Sequence, residues 1–184
     1  IIPGMLGRKK LCAYVFNGYW EDIGTIRSFF DANLSLTDDV PPFDFYKKGQ
    51  TVYTHSRFLP GARIFNSHVE RCDISDGCII RNADLERCII GVRSIIGDGT
   101  YLKNVIMMGA DMYDFHSHNK EPRLGIGKNC HIENAIIDKN ASIGDNCYLT
   151  PDGKPDQWES DGLYVRDGIL IVTKTAVIPA GTRC

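Results

Sequence analysis

The stretch IGKNCHIENAIIDKNASIGDNCYL (126–149) decides how this chain folds. Its inward candidates, Ile126, Ile132, Ile137, Ile143 and Leu149, follow one another at steps of six, five, six and six. An amphipathic helix repeats at three and four, and a half-buried strand at two, so neither accounts for the spacing. Short strands joined by tight corners do, if each face of a narrow triangular prism sends one aliphatic residue inward. The same rhythm begins upstream, at Ile64, Val69, Ile74, Ile80, Leu85, Ile90, Ile96 and Leu102, and returns as Val172 and Ile178. Three steps make 16 or 17 residues, which puts Ile64, Ile80 and Ile96 in one column and Val69 and Leu85 in another.

The units IGDGTY (96–101), IGKNCH (126–131), IGDNCY (143–148) and IPAGTR (178–183) show the local logic. An inward aliphatic is followed by Gly or Pro, a turn-forming pair, and a small fifth residue: Thr100, Cys130, Cys147 or Thr182. Gly, Asn and Asp suit the corners because they tolerate positive φ or bond their own backbone. The pattern is that of a parallel β-helix built on a hexapeptide repeat. Two polar, turn-rich insertions, ADMYDFHSHNKEPRL (110–124) and TPDGKPDQWESDGL (150–163), are expected to protrude as loops.

The segment before the repeat has another texture. KKLCAYVFNGYWEDIG (9–24) reads as an apolar strand entering a loop, and TIRSFFDANLSL (25–36) places Ile26, Phe29, Phe30 and Leu34 on one helical face with Thr25 as N-cap. TDDVPPFDFYKKGQ (37–50) is a proline- and charge-rich connector. One strand and one helix make no core of their own. The reading is therefore residues 1–40 as the remnant of a larger sheet-and-helix domain, 41–62 as linker and 63–184 as β-helix. The helix around Phe29 and Phe30 would then lack a packing partner, which predicts pairing between chains or aggregation.

Composition sets the limits. The 184 residues carry 21 Lys plus Arg against 23 Asp plus Glu, with no charged block, which argues against nucleic acid and membrane surfaces as partners. The apolar runs are too short to span a bilayer and no secretory leader is visible, so a soluble, cytoplasmic chain is expected. Its seven cysteines, odd in number and without CxxC, read as reduced thiols, with Cys78, Cys130 and Cys147 at the small buried position of the repeat. The triplets NLS at Asn33 and NAS at Asn140 have the form of glycosylation acceptors but lack the secretory context.

Three groups of residues invite chemistry. Glu21 and Asp22 are adjacent carboxylates that suit a divalent cation, although on spacing alone a solvated helix N-terminus accounts for them better. Lys139, Lys174, Arg57 and Arg166 would make an anion site if they converged in a cleft; singly, each reads as a solubilising cation. The HSH at His116 and His118, with His131, His55 and His68 elsewhere, lacks the spacing of a three-ligand zinc site.

GYWEDIGTI (18–26), ANLSL (32–36), FDFYKKGQTVYTHSRFLPGARI (43–64), VIMMGAD (105–111), GIGKNCHIENAIIDKNASIGDN (125–146) and GILIVTKTAVIPAGT (168–182) together resemble ADP-glucose pyrophosphorylase, that is, glucose-1-phosphate adenylyltransferase. The resemblance is to the final two-fifths of such enzymes, nearer the plant and cyanobacterial type than the enteric one. It implies a mainly β fold, a single-stranded left-handed parallel β-helix preceded by a short α/β remnant of a nucleotidyltransferase domain. The left hand comes from the resemblance alone, since crossovers are ordinarily right-handed. It implies an activity, ATP and glucose 1-phosphate giving ADP-glucose and pyrophosphate with Mg²⁺, as the committed step toward glycogen or starch. It also implies residue roles. Asp22 matches a metal-holding aspartate with Glu21 beside it. Lys139 and Lys174 match activator lysines, and Asp138 is placed to orient Lys139. Arg57 matches a cation ahead of the β-helix, His55 falls where relatives carry glutamine, and Arg166 matches a basic region more loosely. Phosphorylated metabolites and phosphate are the implied effectors, a homo- or hetero-tetramer the implied assembly, and a plastid the location in a plant or alga. The family's glycine-rich loop, the other metal aspartate and the sugar-phosphate lysine would lie upstream of Ile1, so this chain alone is expected not to turn over. Two other readings stay open: a non-catalytic paralogous subunit, and a hexapeptide acyltransferase, which would need a catalytic histidine and leave YWEDIG unexplained.

Overall fold

The computed structural model describes residues 2–49, 51–114 and 122–184. From Arg63 onward the backbone winds through short strands into a parallel β-helix, and the three aliphatic columns are its three inner edges. On the first face, Arg63–Phe65, Ile79–Arg81, Ile95–Ile96, Gly125–Ile126, Ser142–Ile143 and Val177–Ile178 form one six-stranded sheet. Its register stacks Ile64 on Ile80, then Ile96, Ile126, Ile143 and Ile178. The second column runs Val69, Leu85, Leu102, Ile132, Leu149. The third runs Ile74, Ile90, Met107, Ile137, Val172. Met107 completes the third column, where the aliphatic reading had a gap.

Most members of these columns are sealed from solvent. Ile80, Leu85, Ile90, Ile96, Leu102, Ile132, Ile137, Ile143 and Leu149 are fully buried. Small residues precede each strand, where the walls converge: Cys78, Ala83, Cys88, Thr100, Cys130, Ala141 and Cys147 are all buried. All seven cysteines are free thiols. The corners carry the expected turn chemistry, with Asn66, Asn82, Asn104, Asn129, Asn134, Asn140 and Asn146 at positive φ. At Gly127 close approach sets the residue, because a Cβ there would sit 2.8 Å from the backbone nitrogen of Asp145 in the next coil.

Three expectations need correction. The strand expected within 9–24 does not form: no strand among the described residues lies beside this stretch to complete its backbone pairing, and Tyr14, Val15 and Trp20 stay exposed. The second insertion does not simply protrude. Leu163–Arg166 pairs antiparallel with Ile169–Val172 across a turn whose Asp167 and Gly168 both have positive φ, and Leu163 and Val165 enter the core. The helix, finally, has a packing partner within the chain.

That helix spans Ile26–Leu34, with Thr25 and Ser28 forming the capping box. Phe30 and Leu34 are buried against Ile106, Ile136 and Ile169, residues on the outer surface of the β-helix. Consecutive apolar residues such as Ile136 and Ile137 therefore serve two purposes, one filling the prism and the other seating the helix. Polar contacts fix both ends. The backbone N–H of Arg27 donates to the Asp167 carboxylate at 3.2 Å, and beyond the helix Asp38 pairs with Arg71 and, at 3.7 Å, with Arg87.

Truncating the seat tests this docking. Leu34→Ala should destabilise the docked helix by about 2–5 kcal/mol and Thr25→Ala by about 1 kcal/mol. Amide hydrogen exchange should speed up across 26–34 while protection in the β-helix columns is kept.

Candidate functional site

Three of the four sequence-predicted cations, Lys139, Lys174 and Arg57, lie along one edge of the prism. Backbone bonds define its outer corner: Arg93 N–H to Asp76 O at 3.2 Å, Ala110 to Val92 at 2.9 Å, Asn140 to Gly109 at 3.1 Å, and Thr175 to Lys139 at 2.9 Å. Asp76, Val92, Gly109, Lys139 and Lys174 thus occupy one column in successive coils. Lys139 and Lys174 are immediate neighbours at the coil spacing of about 4.8 Å. Two lysines on adjacent coils concentrate positive charge at one corner, so the pair favours an anion beside it.

One carboxylate already answers that field. Asp111, from the first insertion, places Oδ1 3.0 Å from Lys139 Nζ and accepts from Asn140 Nδ2 at 2.9 Å, while its own N–H donates to Asn140 Oδ1 at 2.8 Å. The Asn140 and Lys139 hydrogen bonds, with the nearby Lys174 charge, hold the Asp111 carboxyl below the usual range. Asp138 acts on the same corner through the backbone, accepting the Lys139 N–H at 2.6 Å. Sequence reasoning did not find Asp111. The signal was there, since Gly109 shares the column with Lys139, but it could be read only once Met107 was recognised as an inward residue.

His55 and Arg57 lie farther along the same edge. With Thr54, Ser56, Ser75 and Asp76 they line a groove of about 370 Å³. Asp76 is three coils from Lys139, roughly 14 Å, so the cations form a ridge. Arg166 stands apart. It sits beside the turn of the antiparallel hairpin, paired with Ile169 in register, whereas Lys174 lies past its open end. Its guanidinium is committed to Glu159 and to the carbonyls of Trp158 (3.2 Å) and Val165 (2.8 Å).

Glu21 and Asp22 lie on the exposed segment ahead of the helix, where Asp22 Oδ1 accepts the Gly24 N–H at 3.0 Å. That is a local turn, and among the described residues no group of three or more His, Cys, Asp or Glu converges on a metal position. The carboxylates present do not by themselves fit a Mg²⁺ site. The other histidines are similarly engaged: His131 is stacked between Tyr101 and Tyr148 with Nε2 2.7 Å from Glu133, and His68 contacts Asp84 at 3.0 Å. His116 and His118 lie outside the described residues. A larger groove of about 750 Å³ runs over Gly97, Gly127 and Gly144 on the first face; none of its described lining residues is a histidine.

Residues 57–182, a span coinciding with the coils, match the GLGC left-handed parallel β-helix domain. The chain belongs to that family. Its β-helix is accordingly left-handed. The glucose-1-phosphate adenylyltransferase small subunit, chloroplastic/amyloplastic, of Triticum aestivum is 38% identical over 192 residues, covering 99% of this chain and 41% of the relative. The chain thus spans about two-fifths of the length of the relative it matches. Among the described residues no helix is long and apolar enough to cross a membrane.

The ridge has a testable pH signature. The folded pKa of Asp111 is depressed, so the stability it contributes is present above the unfolded value of about 4 and is lost as pH falls through the folded one. Asp111→Asn should flatten the acid limb of a stability–pH curve below about pH 4, measured by urea unfolding. Lys139→Ala should move the Asp111 carboxyl back toward its ordinary value in a carbon-detected titration.

Proposed function

We propose that this chain is the C-terminal regulatory and assembly part of a glucose-1-phosphate adenylyltransferase, and that the Lys139–Lys174 corner binds phosphorylated effectors. The observation that carries this reading is the in-register stacking of the two lysines in adjacent coils, with Asp111 as their internal counter-ion. A phosphate group fits such a corner because it can accept from both ammonium groups, each charge-assisted hydrogen bond contributing about 1.5–3 kcal/mol. Arg57, with His55 beside it, extends the positive edge toward a second phosphate of a longer ligand, or toward the neighbouring domain. Asp138 holds the corner backbone in place, while Arg166 braces the hairpin and contributes no ligand contact.

In the complete enzyme Asp22, supported by Glu21, would supply part of a Mg²⁺ site whose other ligands come from elsewhere in the protein. The substrates there are ATP and glucose 1-phosphate, the product serves glycogen or starch synthesis, and the assembly is a homo- or hetero-tetramer in which flat β-helix faces meet. Location follows the source: cytoplasmic, or plastidic in a plant or alga.

The decisive measurement uses the full-length enzyme. Lys139→Ala and Lys174→Ala should each weaken activation by a phosphorylated metabolite roughly tenfold or more while the basal rate stays within about twofold. Equal losses in both would make the lysines structural and end the effector assignment. The 184-residue chain by itself should form no ADP-glucose from ATP, glucose 1-phosphate and Mg²⁺.

A further inference from the structure

Stacking also places cysteines side by side in adjacent coils. Asp73 pairs with Ile89 and Ile74 with Ile90, and the Asp73 N–H donates to Cys88 O at 3.0 Å, so Cys72 sits directly against Cys88 in the next coil. The coil spacing of about 4.8 Å falls within the roughly 4.4–6.8 Å Cα separation that a disulfide spans. The Cys88 N–H donates to Cys72 Sγ at 3.3 Å. Cys72 lies in the first coil and is partly exposed, whereas Cys88 is buried. The two thiols also differ electrostatically. The adjoining Cys88 side chain and backbone N–H groups lower the Cys72 pKa, whereas Cys72 beside it and burial push Cys88 up, its own S–H lying 3.3 Å from the Glu86 carbonyl oxygen.

A second pair supplies the contrast. Cys130 and Cys147 are stacked in the same way, through Tyr101 N–H to Cys130 O at 2.8 Å and His131 N–H to Cys147 O at 2.9 Å. Both are buried, and burial pushes the Cys130 thiol up to about 11. The pairs share backbone geometry and differ in access and polarisation.

We propose that Cys72 and Cys88 are an oxidisable dithiol, a modification site at which a hydroperoxide locks the first coil to the second. The Cys72 thiolate attacks one oxygen of the peroxide, the O–O bond breaks, and the departing oxygen leaves with a proton as water or alcohol. Cys72 is then a sulfenic acid. Cys88 loses its proton and attacks the Cys72 sulfur; the S–O bond breaks, and hydroxide takes up a proton to leave as water. One S–S bond has formed, two thiols have lost two electrons, and the peroxide has gained them. The proposal is independent of the effector reading, because no ligand of the lysine ridge takes part.

The test treats the whole chain with near-stoichiometric hydrogen peroxide, followed by alkylation and peptide mapping. A Cys72–Cys88 cross-linked peptide should appear roughly tenfold or more faster than any Cys130–Cys147 product. Cys88→Ser should leave Cys72 trapped as a sulfenic acid that dimedone labels, and Cys72→Ser should leave Cys88 unoxidised. Both variants replace one small side chain by another, and thermal unfolding confirms that each is folded. The proposal is overturned if the exposed Cys12 links two chains while Cys72 and Cys88 stay free, or if the two stacked pairs oxidise at the same rate.

Discussion

The structure depends on one repeated constraint: each coil takes its backbone hydrogen bonds from the coils above and below it. Parallel strands stacked at about 4.8 Å must stay in register, so residues 16 or 17 apart are locked side by side. The prism interior is then too narrow for more than one side chain per face in each coil. This is why Ile80, Leu85 and Ile90 recur as single inward residues and why Cys or Thr fills the converging corners. The constraint acts on chemistry as well as on packing. Whatever occupies a given place in one coil meets its counterpart in the next, so a column of lysines, of thiols or of aromatic rings becomes a continuous surface feature.

How far the sequence could be read follows from the same constraint. The columns were legible because the inward residues are aliphatic and evenly spaced. Thr25 and the face carrying Phe30 and Leu34 were legible because capping and helical periodicity are local. What escaped depends on chain segments that leave the stack and return. Asp111 reaches Lys139 only through the path of the first insertion, and the count across that gap fails unless Met107 is taken as inward. The hairpin at 163–172 did have a local signal, Asp167–Gly168 between alternating apolar residues, which hides inside a stretch that also resembles another coil. The seat of the helix was written as well: Ile106 beside Met107 and Ile136 beside Ile137 are paired apolar residues, which a strand needs only when both of its faces are covered.

The docked helix changes the meaning of the N-terminal segment. Residues 26–38 belong physically to the β-helix, clamped at the hairpin through Arg27 and Asp167 and at the first coils through Asp38 with Arg71 and Arg87. Among the described residues the segment carrying Glu21 and Asp22 has no such anchor. Its exposed Tyr14, Val15, Trp20 and Ile23 mark where packing by the described residues ends. Among the described residues, packing against the β-helix therefore begins just after Thr25. A movement of the helix on its seat would be felt directly by the two carboxylates ahead of it.

Asp38 touches Arg71 and Arg87, which precede Cys72 and Cys88, so the connector from the helix starts out beside the corner that bears the thiol pair. The lysine ridge lies along the next edge of the prism, reached from Ile74 to Asp76 and then upward through Val92 and Gly109 to Lys139. The thiol pair thus borders the first coils, while Lys139 and Lys174 lie in the later coils on which the helix is seated through Ile136 and Ile169. A rigid stack transmits displacement along its axis with little loss, because a coil that shifts must carry its neighbours' hydrogen bonds with it. The solenoid in that sense ties the lysine edge to the helix seat through shared coils, without any moving part in its core.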